Sequence, residues 1–288
     1  MEVLVEILED AVIDSIKLLP FLFVSYLIIE LLEHKASDKI KKYLLKSGKF
    51  GSIVGAIFGV VPQCGFSVTA STLYAGRVIT VGTLIAVFIS TSDEAIPVLL
   101  SNPESLSKIL PIIITKVLLA IVVGLVIDFF IVRKKVENKE VEEKEHIHEM
   151  CEHCHCKENM LLSVLKHTFN VFIFIFLFNI ILNLLITLIG EENLSKLLLS
   201  GSVLQPIVSA LIGMIPNCAA SVLLTELYIE GTISFASIIS GLSVGAGVGM
   251  IVLFKENKNL KENLKILIST FLVSVIFGVL IEVLGVIL

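Results

Sequence analysis

The sequence predicts an all-α polytopic membrane protein built as an inverted repeat, about ten helical segments in all. Each half is expected to hold three transmembrane helices and one re-entrant hairpin. Three observations carry this reading: an apolar composition with segregated charge, a Pro-broken polar motif that occurs twice, and the placement of lysines in the loops.

Of the 288 residues, 56% are hydrophobic and 17% charged, and mean hydropathy is +0.96. Soluble domains are nearer half apolar and a quarter charged. Apolar runs occupy roughly 11–33, 51–76, 79–101, 109–132, 161–189, 202–229, 232–254 and 264–288. Most exceed the ~18–20 residues that cross a bilayer. The net charge of −5 says little about partners, because its distribution over loops matters more than its sum. No nucleic-acid partner is expected; the lipid bilayer is.

The first ten residues carry Glu2, Glu6, Glu9 and Asp10 without Lys or Arg, the wrong charge for the start of a cleavable signal peptide. The segment 34–49 follows with Lys35, Lys39, Lys41, Lys42, Lys46 and Lys49 against Asp38 alone. Arg133, Lys134 and Lys135 follow the fourth run, and Lys255, Lys258, Lys261 and Lys265 mark the segment 255–265. Lysine and arginine mark cytoplasmic loops. Simple alternation over eight spans would put Arg77 and 133–135 outside.

The conflict disappears if 51–76 and 202–229 turn back inside the membrane. Each arm of such a hairpin is about a dozen residues, which at 1.5 Å per residue reaches about half of a ~30 Å core. The loop 133–160 and Arg77 then lie inside, both termini and 190–201 outside. Each half crosses an odd number of times, so the halves are inverted: 1–133 and 161–288, joined by a cytoplasmic loop, 134–160. The alternative is eight ordinary helices kinked at Pro62 and Pro216.

The hairpin tips carry the repeat. Gly59 to Val68 reads Gly-Val-Val-Pro-Gln-Cys-Gly-Phe-Ser-Val, and Gly213 to Val222, 154 positions on, reads Gly-Met-Ile-Pro-Asn-Cys-Ala-Ala-Ser-Val. At the same offset Leu73 matches Leu227, Tyr74 matches Tyr228 and Ile79 matches Ile233. A duplicated, broken, polar segment in an apolar chain points to a transporter's substrate site. Gln63 and Asn217 offer amides, Cys64 and Cys218 thiols, Ser67 and Ser221 hydroxyls. Small polar residues that merely pack helices closely are the competing explanation, which a second copy of the motif weakens.

The span after the first hairpin contains Thr91-Ser92-Asp93-Glu94 and then Pro97. Carboxylates inside an apolar run cost a few kcal/mol, so they are expected to face a cavity, a cation or a proton. In the second half the matching positions are Gly245-Ala246-Gly247, where glycines either make room or break the helix. Lys116 is expected to pair with a carboxylate or to snorkel; Asp128 and Glu282, near span ends, are expected to be solvated.

The loop reads His146-Ile-His148-Glu-Met-Cys151-Glu-His153-Cys154-His155-Cys156. It holds four of the six histidines and three of the five cysteines, a density no plain charged linker needs. The cysteines are too clustered for a disulfide framework and suit a reducing compartment. Thiolate and imidazole ligands suit Zn²⁺ or another transition metal, without the fixed spacing of a finger. No resident cofactor is otherwise implied.

The two motifs, the Thr91 to Ala95 run, the Cys/His-rich loop and Lys255-Glu256-Asn257-Lys258-Asn259 together resemble the prokaryotic ten-transmembrane heavy-metal exporter family, whose members are labelled arsenic efflux proteins or manganese transporters. Counting each hairpin as two segments gives ten. The resemblance implies export of a metal or metalloid across the inner membrane. Residues alone also admit a carrier of another small solute, a thiol oxidoreductase using Cys64 and Cys218, or a metal sensor whose output is the loop. No nucleotide-binding motif is present, so an ion gradient or a partner ATPase would drive transport. A homo-oligomer is compatible with the chain.

Overall fold

The computed structural model describes residues 48–62, 64–92, 95–101, 105–137, 160–189 and 204–285, with helical residues 12–13, 16, 19–20, 23–24 and 26–27 before them. Among the described residues every regular element is helical. In chain order these are α1 (Gly48–Gly59), α2 (Gly65–Ala75), α3 (Val81–Ser90), α4 (Ala95–Ser101), α5 (Leu106–Glu137), α6 (Met160–Ile189), α7 (Gln205–Gly213), α8 (Cys218–Ile229), α9 (Phe235–Val244), α10 (Val248–Glu256) and α11 (Leu260–Val283).

The sequence explains the short helices. Val60 to Pro62 interrupts α1 from α2, and Pro216 with the Asn217 cap interrupts α7 from α8, where the Asn217 side chain accepts from the Ala219 amide. Thr80 and Ser234, again 154 apart, cap α3 and α9 by accepting from the amides of Thr83 and Ser237. A cap hydroxyl satisfies one of the amides that a helix start leaves free.

Gly51 lies against Thr83, Gly55 against Val87 and Gly59 against Ser90. Thus α1 and α3 run in the same direction, and α2 runs back the other way. The end of α1 at Gly59 is level with Ser90 at the end of α3, halfway along the Val81–Leu100 span. In the second half Ser209 lies against Gly241 and the Gly213 carbonyl faces Gly245, so α7 and α9 also run together. The small residues spaced by four on α1 allow this close approach. A kinked continuous helix from 51 to 76 would carry its second arm onward past the end of α3, whereas α2 runs back toward the start of α3.

Both long apolar spans between hairpin and outer helix are broken. Thr91 and Ser92 leave the helix after α3, and Gly245 to Gly247 separate α9 from α10. Gly247 has φ +49° and ψ −140°, a conformation that a side chain strongly disfavours. The two broken spans form the centre: 81% of Val81–Leu100 and 89% of Phe235–Glu256 are buried, against 33% and 22% for the spans on α5 and α11.

The outer helices present their apolar side outward. Leu110, Ile114, Leu118, Val122 and Val126 on α5 are exposed, and so are Leu264, Ile268, Leu272, Ile276 and Leu280 on α11. These are lipid-facing stripes of period four, each residue 154 from its counterpart. The opposite sides, with Ala120 and Gly124 on α5 and Thr270, Ser274 and Gly278 on α11, pack on α3 and α9.

The halves are interleaved. The first arm of each hairpin packs on its own half, α1 on α3 and α7 on α9; the second arm packs on the other, α2 on α10 and α8 on α4. Tyr74 at the end of α2 donates to Glu262 at the start of α11. At the equivalent place Lys108 at the start of α5 lies over the Tyr228 ring, 4.8 Å from its centroid.

Arg77, in the turn after α2, takes the left-handed conformation with φ +57°, where the second half has Gly231 at φ +77°. Its guanidinium holds both Glu262 oxygens at 2.9 Å and stacks over Tyr74. Hydrogen bonding to Glu262 raises the Arg77 pKa above its ordinary value. The contact brings Arg77 beside the start of α11.

Candidate functional site

Two broken helices and a hairpin tip meet at a small cavity. Its lining includes Thr91 and Ser92 from the first break, Gly245 and Gly247 from the second, and Asn217 and Ser221 from the second hairpin. The enclosed space holds about one water-sized particle. Thr91, Ser92, Asn217 and Ser221 are sequence candidates, drawn here from both halves of the chain.

The surrounding backbone is polar where it should be apolar. Unbroken, α3 would pair the Thr91 carbonyl with the Ala95 amide, but that amide turns to Ser92 O at 2.8 Å. The Ala246 amide turns to Val244 O at 2.7 Å and leaves Leu242 O without its helical partner. Helix C-termini carry partial negative charge and N-termini partial positive charge. Both kinds of end converge here, from α3 and α9 on one hand and α8 on the other. Such ends bind ions without formal charge.

Ser67 and Cys64, the first-half counterparts of Ser221 and Cys218, are held elsewhere. The Ser67 hydroxyl donates to Cys64 O at 2.7 Å, and Ser67 is pressed against Gly249 of α10. Cys64 is buried with Val68, Val164, Val171, Val248, Ile251 and Val252. The Ser71 hydroxyl adds a bond to Gly249 O at 2.7 Å. The position matching Gly249 in the other half is Ala95.

Gln63, Asp93 and Glu94 lie outside the described residues, as does the whole His146, His148, Cys151, His153, Cys154, His155, Cys156 tract. Cys218 begins α8, but its side chain is likewise outside. Among the described residues, no three of His, Cys, Asp and Glu are grouped to hold a metal ion.

Asp128 departs outright from the sequence expectation, Lys116 from one of its two alternatives, and Glu282, half-buried, only in part. Lys116 does not snorkel: it is 0% exposed and its ammonium donates to the carbonyls of Thr91 and Leu242. Asp128 is not solvated. It is buried and accepts from Ser52 Oγ at 2.7 Å, Thr80 Oγ1 at 2.9 Å and the Gly82 amide at 3.0 Å. Glu282 accepts from Ser234 Oγ at 2.5 Å. Both carboxylates therefore anchor helix caps. The signal was available, since each pair recurs at the offset of 154.

An interleaved set of broken helices with a polar centre and lipid-facing outer helices defines a polytopic membrane protein of the transporter class. A family model described as "Putative, 10TM heavy-metal exporter" matches residues 1–189 and 157–286, and the chain belongs to this family. No curated protein and no solved structure matches it.

Proposed function

We propose that the protein exports a divalent metal cation by gradient-driven alternating access in the inner membrane. In this reading 1–133 and 161–288 are inverted repeats joined by a cytoplasmic loop, 134–160. The observation that carries it is the cavity between the two breaks, lined by Thr91 and Ser92 of one half and Asn217 and Ser221 of the other. Asp93 and Glu94 follow Ser92 directly in sequence and would bring negative charge to that place. Gln63, Cys64, Ser67 and Cys218 belong to the same duplicated tips and would complete the polar surface in the alternate state.

Carboxylates and amides favour Mn²⁺ and its neighbours, thiols favour soft species such as arsenite. Neutral As(OH)₃ would gain nothing from two membrane carboxylates costing a few kcal/mol, whereas a divalent cation uses them directly. The Cys/His tract from His146 to Cys156 would capture Zn²⁺ or another transition metal on the cytoplasmic side. Burial of Cys64 among valines argues against the thiol oxidoreductase.

The test is flux into proteoliposomes: Mn²⁺ uptake with and without excess arsenite, at pH values on both sides of neutrality. Mn²⁺ uptake is expected, and Asp93→Asn or Glu94→Gln abolishes it in a protein that still inserts. Arsenite flux without any Mn²⁺ flux overturns the substrate assignment. Deleting 146–156 removes Co²⁺ charge-transfer absorption from the purified protein and lowers transport only at low substrate; loss at every concentration would make the loop part of the pathway.

A further inference from the structure

Lys116 sits where a broken-helix carrier would otherwise need an ion. The carbonyls of Thr91 and Leu242 are both released by the breaks, because the amides that would bind them turn to Ser92 O and Val244 O. The Lys116 ammonium takes up both, with Leu242 O at 2.9 Å. The two acceptors belong to different halves, at the ends of α3 and α9. Each helix C-terminus carries about −0.5 charge, so both attract the ammonium. In carriers of this construction, half-helix C-termini and unwound carbonyls are where a coupling cation such as Na⁺ is coordinated.

Lys116 arrives there by helix periodicity. It shares the buried side of α5 with Ile112 and Ala120, one turn either way, while Ile114 and Leu118 face outward. The matching residue in the second half is Thr270, whose hydroxyl donates to Ile266 O within its own helix. The charge is therefore supplied once, from the first half, to both breaks.

We propose that Lys116 is a tethered cation that takes the place of a co-transported Na⁺, holding α3 and α9 together at their breaks. A carrier with the ion built in needs no Na⁺ from solution. The transport half of this statement rests on the carrier reading above; the stability half does not.

The experiment uses the purified full chain and Lys116→Ala. Thermal unfolding is followed in choline chloride, sodium chloride and n-propylammonium chloride at equal ionic strength. Wild type is expected to be indifferent to the cation. Lys116→Ala is expected to melt lower in choline and to recover by at least about 2 °C when Na⁺ or propylammonium fills the vacated place. In proteoliposomes wild-type Mn²⁺ flux is the same in Na⁺ and choline, and the variant's flux falls at least tenfold and rises several-fold with either small cation. Unchanged, cation-indifferent melting of Lys116→Ala overturns the proposal, as does Na⁺-dependent flux in wild type. Cation-responsive melting of the variant with no Mn²⁺ flux in wild type supports the tethered cation and counts against the carrier reading. If Lys116→Ala does not accumulate, Lys116→Arg and Lys116→Met decide: accumulation of Arg alone supports the need for charge, and equal behaviour of the two overturns it.

Discussion

Asp128 and Glu282 stand 154 residues apart and hold the same place in the two halves. Asp128 accepts from the hydroxyl of Thr80, the cap of α3, and Glu282 from that of Ser234, the cap of α9. Each carboxylate thus ties the last helix of its half to the start of the broken span. A cap side chain that bonds outward to a carboxylate is fixed in the rotamer that meets its own helix amide.

Removing the carboxylate charge should therefore loosen the core rather than the chemistry. Asp128→Asn puts an amide donor among groups that already donate, and is expected to cost about 1–3 kcal/mol. Glu282→Gln, with Ser234 as its hydroxyl partner and part of its surface open, should cost less. Melting temperatures of the purified variants check the order. An Asp128→Asn protein that melts like wild type but has lost transport would instead move Asp128 into the pathway.

Arg77 and Glu262 form the contact that joins the first hairpin to the start of α11. The bidentate pair offsets a left-handed backbone that costs a non-glycine residue about 1 kcal/mol. Arg77→Glu should lower stability through repulsion of Glu262, and Arg77→Glu with Glu262→Arg should recover part of the loss. Single cysteines at the two positions, in a cysteine-free background, should label from the same side with an impermeant reagent. Labelling from opposite sides would refute the hairpin topology.

Gly247 holds the second break open with its positive φ. An alanine there meets backbone strain of about 1–3 kcal/mol, relieved by moving the carbonyl and amide ends that border the cavity. Gly247→Ala is accordingly expected to cut transport at least tenfold in a protein that still inserts. Gly285→Ala, also at positive φ but with open space around it, meets its backbone strain away from the cavity and should leave transport intact. Equal loss in both variants would show strain, not cavity geometry, to be the cause.

Much of this was legible in the chain. Length and composition give the spans, and Pro62 with Pro216 mark the tips. Gly245 to Gly247 admit a break in the second span, but the matching Thr91-Ser92 reads as part of a continuous one. The rotation of α5 was legible too, since residues 110, 114, 118 and 122 are bulky and 112, 116, 120 and 124 include the small and charged ones; reading Lys116 by depth alone missed it. What no motif could reveal is why Ser221 lines a cavity while Ser67 is packed away. The two serines are equivalent in sequence, yet Ser67 is pressed against Gly249 of the other half while Ser221 borders the cavity.

The central claim is that substrate occupies the cavity between the two breaks, beside Ser221. In a cysteine-free background, Ser221→Cys should react with a small thiol reagent, and Mn²⁺ at transport-saturating concentration should slow that reaction at least several-fold. Ser71→Cys, buried between α2 and α10, should show no such protection. Labelling of Ser221→Cys at the same rate with and without substrate, in a protein that still transports, would contradict the account.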